Sequence, residues 1–161
     1  MLGVVPDLLV GDVERCRDQH HRLAIAPDIA IRHLGAEQQM VLELRPPHDP
    51  TKSFGFVNSV VSLRDLSSSI WVWHRENGKF GVEKVIEVSA EPAAPEQLPP
   101  ALQPFGAVPP LITDINLTLD DRFLYVSCWG TGELRQYDVS DPFAPKLTGS
   151  VRMGGLVTLF T

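Results

Sequence analysis

Between residues 39 and 155 the chain repeats one pattern, a short apolar, β-branched or aromatic run followed by a turn signal. Short runs with period-two alternation read as strands rather than helices. Met40 to Leu44 is ended by Pro46 and Pro47, and Gly55 to Leu63 is long and apolar. Ile70 to His74 (IWVWH) alternates large side chains, and Val82 to Val88 (VEKVIEV) follows. Asn77-Gly78 lies between these last two, and both residues tolerate the positive φ of a type I′ hairpin turn. The four runs predict one antiparallel sheet.

Four more runs lie further on: Leu111 to Leu119, Phe123 to Cys128, Glu133 to Val139 and Lys146 to Met153. Asp120-Asp121, Gly130-Thr131-Gly132 and Ser140-Asp141-Pro142 separate them as turns. Residues 89–110 between the two groups hold seven of the fourteen prolines. Proline has no amide donor for a ladder, so this stretch is expected to be a surface loop. Ile70 and Leu134, each in the third strand of its group, are 64 residues apart. Four strands per unit at such a period fit the blades of a β-propeller. A β-sandwich of seven or eight short strands fits the pattern as well.

The two ends differ from this middle. Residues 1–33 carry mixed charge and no aromatic residue, and their hydrophobic periodicity is poor, so a poorly ordered segment is expected. Residues 156–161 form a short apolar tail. The organisation expected is therefore 34–88 and 111–155 as two four-stranded units joined by 89–110.

Charge and composition narrow the function classes. A net charge of −6 disfavours nonspecific binding to nucleic acid, which needs a basic surface. No apolar run is long enough to cross a bilayer, and the apolar start lacks the basic region and cleavage site of a signal peptide. Cys16 and Cys128 make no disulfide framework and no CxxC pair, which suits a reducing cytoplasm.

The stretch 109–155, with the pieces LITDI, LDDRFLY, LRQYDVSDP and PKLTG in order, resembles the family of selenium-binding proteins and methanethiol oxidases. LELRPPHDPTKSFGFV and SSSIWVW with VEKVIEV upstream are similar to it too. The resemblance implies a partial β-propeller, two blades of a seven-bladed fold. It also implies a parent activity, copper-dependent oxidation of methanethiol by oxygen and water to formaldehyde, hydrogen sulfide and hydrogen peroxide. A periplasmic location is open for a bacterial parent. The family's paired-histidine motif before Ser-Gly-Trp-Asn, its Cys-Ser-Ser-Cys stretch and its later histidine and cysteine motif do not occur here. An upstream frame change or truncation is one explanation, and a divergent N-terminus is the other. The chain is expected to be inactive alone, to bind no cofactor by itself, and to associate with missing blades or with itself through exposed edges. Low solubility or a molten state is the physical consequence. Two alternatives are a non-enzymatic binding or scaffold module and a pseudogene product.

The candidate ligands are few. His48 lies in PPHDP, which resembles a histidine position of the family, and it is the one residue put forward as a metal contact. The competing reading is a loop histidine bonded to its own turn beside Asp49. His20-His21 is adjacent in sequence only, which is a weak ligand signal. Asp114 interrupts an apolar run on an innermost strand, where it would face a channel or bond the neighbouring blade. Asp120, Asp121, Asp138 and Asp141 fall at turns, where carboxylates accept from backbone amides. Cys128 is expected to be an inert core thiol, and selenium binding through it is the alternative. Trp71, Trp73, Phe80, Tyr125, Trp129 and Tyr137 are expected to pack the blades. The remaining carboxylates, such as Glu91 and Glu96, show no paired arrangement, and no phosphate loop is present.

Overall fold

The structure, a computed structural model, describes residues 38–157. The strands are β1 (Gln38–Gln39), β2 (Leu44–Arg45), β3 (Phe54–Ser59), β4 (Val61–Ser62), β5 (Ser68–Glu76) and β6 (Lys79–Val88). They continue as β7 (Glu91–Pro92), β8 (Ala107–Val108), β9 (Ile112–Leu117), β10 (Phe123–Cys128), β11 (Glu133–Asp138) and β12 (Lys146–Arg152). Two antiparallel four-stranded sheets result, ordered β2-β3-β5-β6 and β9-β10-β11-β12. Among the described residues the only helices are single 3₁₀ turns at Pro95–Gln97 and Gln103–Phe105. None is long and apolar enough to cross a membrane.

The two expected sheets are present, and local chemistry explains their turns. Asn77 and Gly78 have φ of 50° and 77°, as a type I′ turn between β5 and β6 requires. The first sheet departs from expectation at its start. Met40 to Leu44 is not one strand: Met40 has a φ of 60°, and the amides of Leu42 and Glu43 donate to the Asn58 side chain instead of to a ladder. The long run from Gly55 is broken at Val60, whose amide donates to Met40 and whose carbonyl accepts from the Ser68 hydroxyl. The connector 89–110 is also more ordered than a loop, since β7 pairs with β8. Pro92 fits there because this ladder is only two residues long on each side.

One core holds the sheets face to face. Phe56, Ile70, Val72 and Ile86 from the first sheet meet Ile115, Leu124, Val126 and Tyr137 from the second, all buried. Alternation places them: Leu124 and Val126 point in, and Tyr125 points out. Burying one such aliphatic or aromatic side chain contributes about 1.5–3 kcal/mol. A second cluster on the outer face of the first sheet joins Val57 and Trp73 to Val41, Leu44, Trp71 and Val82. The outer face of the second sheet is open. Tyr125, Leu134, Gln136 and Val151 line a shallow groove of about 240 Å³ there.

Candidate functional site at the sheet junction

His48 lies in the loop between β2 and β3, and its partner is in the other sheet rather than in its own turn. Asp121 sits in the β9–β10 turn with a φ of 57°, an uncommon conformation that aspartate tolerates. Its carboxylate accepts from the His48 amide at 2.7 Å and lies 2.9 Å from His48 Nδ1 through the same Oδ1. Oδ2 accepts from the Asp49 amide at 3.1 Å and from Lys52 Nζ at 3.2 Å. The Asp121 side chain is only 2% exposed, and that of His48 is 45% exposed. Burial alone would raise the Asp121 pKa, but the two amides, the ring and the lysine outweigh it and hold the group at about 2. Asp49 is occupied separately, by the amide and hydroxyl of Thr51.

Next to this cluster the first strands of the two sheets exchange polar contacts. Arg45 on β2 reaches Asp114 at 3.3 Å and Asn116 at 3.4 Å on β9, so Asp114 bonds the neighbouring sheet, one of the two roles expected of it. Arg45 also pairs with Glu43. Asn58, fully buried, donates to the Ile112 carbonyl at 2.5 Å, and the Ser68 hydroxyl accepts from the Ile112 amide at 3.4 Å. Both polar groups of the first residue of β9 are thus met by side chains of the first sheet. Asp120, Asp138 and Asp141 accept from amides of their own turns, as expected.

The far end of β10 carries Cys128. Its side chain is buried, and that burial pushes the thiol up to about 12, so it stays protonated at neutral pH. A cavity of about 230 Å³ adjoins it, lined by Trp129, Glu133, Met153 and Gly154 among others. Glu133 is buried and accepts from Arg135 at 2.8 Å. Trp129 is 56% exposed and Tyr125 37%, so neither lies in the core between the two sheets, whereas Trp73 and Tyr137 are buried. His20, His21 and Cys16 lie outside the described residues.

Sequence reasoning missed three residues of this junction. Asp121 accepts from backbone amides, as expected of a turn aspartate, but those amides are 73 and 72 residues away in the other sheet's loop. Sequence reasoning passed over Asn58 and Ser68. Asn58 had a signal, because a buried amide side chain inside an apolar run such as GFVNSVV calls for a hydrogen-bond partner. Among the described residues no three His, Cys, Asp or Glu side chains come together as a metal would require.

The profile of a family described as 56 kDa selenium-binding protein matches residues 22–160. The chain belongs to that family. Its match takes in residues on both sides of the stretch that holds the quoted motifs. Selenium-binding protein 2 of Mus musculus is 44% identical over 117 residues, and the methanethiol oxidase of Homo sapiens 45% over 117. Each of these two matches covers 72% of this chain and 22% of the relative. The methanethiol oxidase of Xenopus tropicalis is 41% identical over 125 residues, 77% of this chain and 24% of its own. The X-ray structure of a hypothetical selenium-binding protein from Sulfolobus tokodaii is 63% identical with a TM-score of 0.74, over 76% of this chain and 27% of that one. This member of the selenium-binding family thus spans about a quarter of the length of the relatives it matches.

Proposed function

We propose that the two sheets are consecutive blades of a seven-bladed propeller, and that the chain is a fragment of a cytoplasmic protein that oxidises methanethiol in a copper-dependent reaction. The 45% identity to a methanethiol oxidase over 117 residues carries this reading. The parent reaction turns methanethiol, oxygen and water into formaldehyde, hydrogen sulfide and hydrogen peroxide. Copper, when bound, would supply the redox chemistry of that reaction. In this reading His48 offers Nε2 as one ligand, and the other ligands come from segments outside the described residues. The open face around Tyr125, Leu134 and Val151 is where a further blade would pack. Selenium, named in the relatives, would need an accessible thiolate, and Cys128 is buried and protonated.

A chimera tests the proposal. The matched 117 residues of the human oxidase are replaced by the corresponding residues of this chain, and methanethiol consumption is followed as hydrogen sulfide and formaldehyde release. The chimera is expected to oxidise methanethiol, and a His48→Ala chimera is expected to lose bound copper. A chimera that folds, by circular dichroism, yet consumes no methanethiol would sink the reading. The same exposed groove favours one second reading, a binding module without enzymatic activity, and a chimera that folds with no copper bound would favour it.

A further inference from the structure

Glu133, the first residue of β11, is 8% exposed and lines the cavity of about 230 Å³ at the Cys128 end of β10. Its two carboxylate oxygens differ. Oε2 accepts from Nε and Nη2 of Arg135, at 2.9 and 2.8 Å, and Oε1 accepts from no group among the described residues. Oε1 is nevertheless not sealed from solvent, and the cavity is the space on which Glu133 opens. A nearly buried oxygen without a donor is costly until something supplies one. Trp129, Met153 and Leu156 line the same cavity and are exposed apolar side chains. We propose that this cavity binds a small neutral molecule with an apolar body and one hydroxyl group, the hydroxyl donating to Glu133 Oε1 and the body lying against Trp129 and Met153. The site is independent of the copper reading.

Size, charge and rigidity narrow the ligand. An apolar cavity of about 150 Å³ takes benzene, so this one has room for a ring with one substituent. Each carboxylate here already has a guanidinium, Glu133 that of Arg135 and Glu91 that of Arg152. An organic cation would meet Arg135 beside the oxygen it approached, so a neutral donor fits better. One wall is main chain at Gly132, Gly154 and Gly155, and a Cβ on Gly132 would strike the backbone of Gly154. That wall is too tightly packed to move in and close the space. The groove on the outer face of the second sheet provides the contrast. Its volume is similar, about 240 Å³, but its Gln136 amide already bonds Thr148 and none of its lining side chains is buried.

The test is nuclear magnetic resonance of the full chain with ¹³C-methyl-labelled methionine, using Met153→Leu to assign the signal. Benzyl alcohol, toluene and benzylammonium chloride, which share a ring, are titrated in turn. Benzyl alcohol is expected to shift the Met153 methyl saturably and to leave that of Met40, also exposed, in place. It is expected to bind at least as tightly as toluene and more tightly than benzylammonium. An unbonded hydroxyl would make it weaker than toluene, because burying a hydroxyl without a partner costs affinity. Trp129→Ala, at an exposed position, should weaken the alcohol about tenfold. Glu133→Leu should weaken the alcohol by about tenfold or more and leave toluene unchanged. That variant strands Arg135, and the comparison of alcohol with toluene in the wild type carries the same claim should it fail to fold. No saturable shift at Met153, or an alcohol weaker than toluene, overturns the proposal. Tighter binding of benzylammonium overturns the neutral ligand, and an unchanged affinity in Trp129→Ala overturns the placing of the ring.

Discussion

Before β10 the buried carboxylate of Asp121 gathers donors from the opposite sheet, and beyond its other end the second sheet's own chain crosses itself at glycines, beside the ion-paired Glu133. β10 separates the two ends, and its six residues span roughly 20 Å. At the glycine end, Met153 donates to the Gly132 carbonyl and Leu156 to that of Gly130, at 2.7 and 2.9 Å. A Cβ built on Gly132 would lie 2.0 Å from backbone of Gly154, and one on Gly155 would lie 2.4 Å from the Gly130 carbonyl oxygen. The contrast teaches that the two sheets are joined here by a titratable group, while the end of the second sheet is set by the shape of its own backbone.

Substitutions can break this comparison, beginning with the largest effect. Gly132→Ala should cost more than about 3 kcal/mol or abolish the fold, because the methyl group meets backbone that cannot yield and φ is 66°. Gly149→Ala is its control: nothing lies within 4 Å of the added Cβ, and urea unfolding should shift by less than about 0.5 kcal/mol. Asp121→Ala should cost about 2–3 kcal/mol in the same assay, since it strands the amides of His48 and Asp49.

Acid sharpens the comparison further. Asp121 is lowered from 3.8 to about 2, so its contribution is fully present above the unfolded value and is lost as pH falls through about 2. The loss, on the order of 2 kcal/mol, should appear in acid titrations of the wild type and be absent from Asp121→Asn. The smallest effect belongs to Arg152→Ala. Arg152 grips Glu91 with two bonds of 2.7 and 2.6 Å, but the arginine is 43% exposed. Less than about 1 kcal/mol is expected, decreasing with salt.

Features decided by neighbours in sequence were legible in advance. The Asn77-Gly78 turn, the alternation in β10 and the amide-accepting Asp138 and Asp141 all depend on residues close along the chain. Features decided by distant neighbours were not. Met40 leaves the strand region because Asn58, 16 and 15 residues past Leu42 and Glu43, takes those two amides. Pro92 enters a short ladder because Ala107 folds back on it. The close packing of Gly154 and Gly155 on Gly130 and Gly132 depends on where β10 ends. The candidate site is legible in the same partial way. His48 stands out by its motif, and its carboxylate partner Asp121 lies 73 residues downstream, where no pattern in the sequence connects the two.

The central proposal is that this chain is part of a copper-dependent oxidase and is inactive alone, with His48 as its one candidate ligand. Its most direct test is to load the purified chain with copper, remove weakly held metal by dialysis, and measure bound copper and methanethiol consumption on the same sample. The account predicts less than one copper per chain after dialysis and no copper-dependent consumption of the thiol. One firmly held copper per chain with methanethiol oxidation would contradict it.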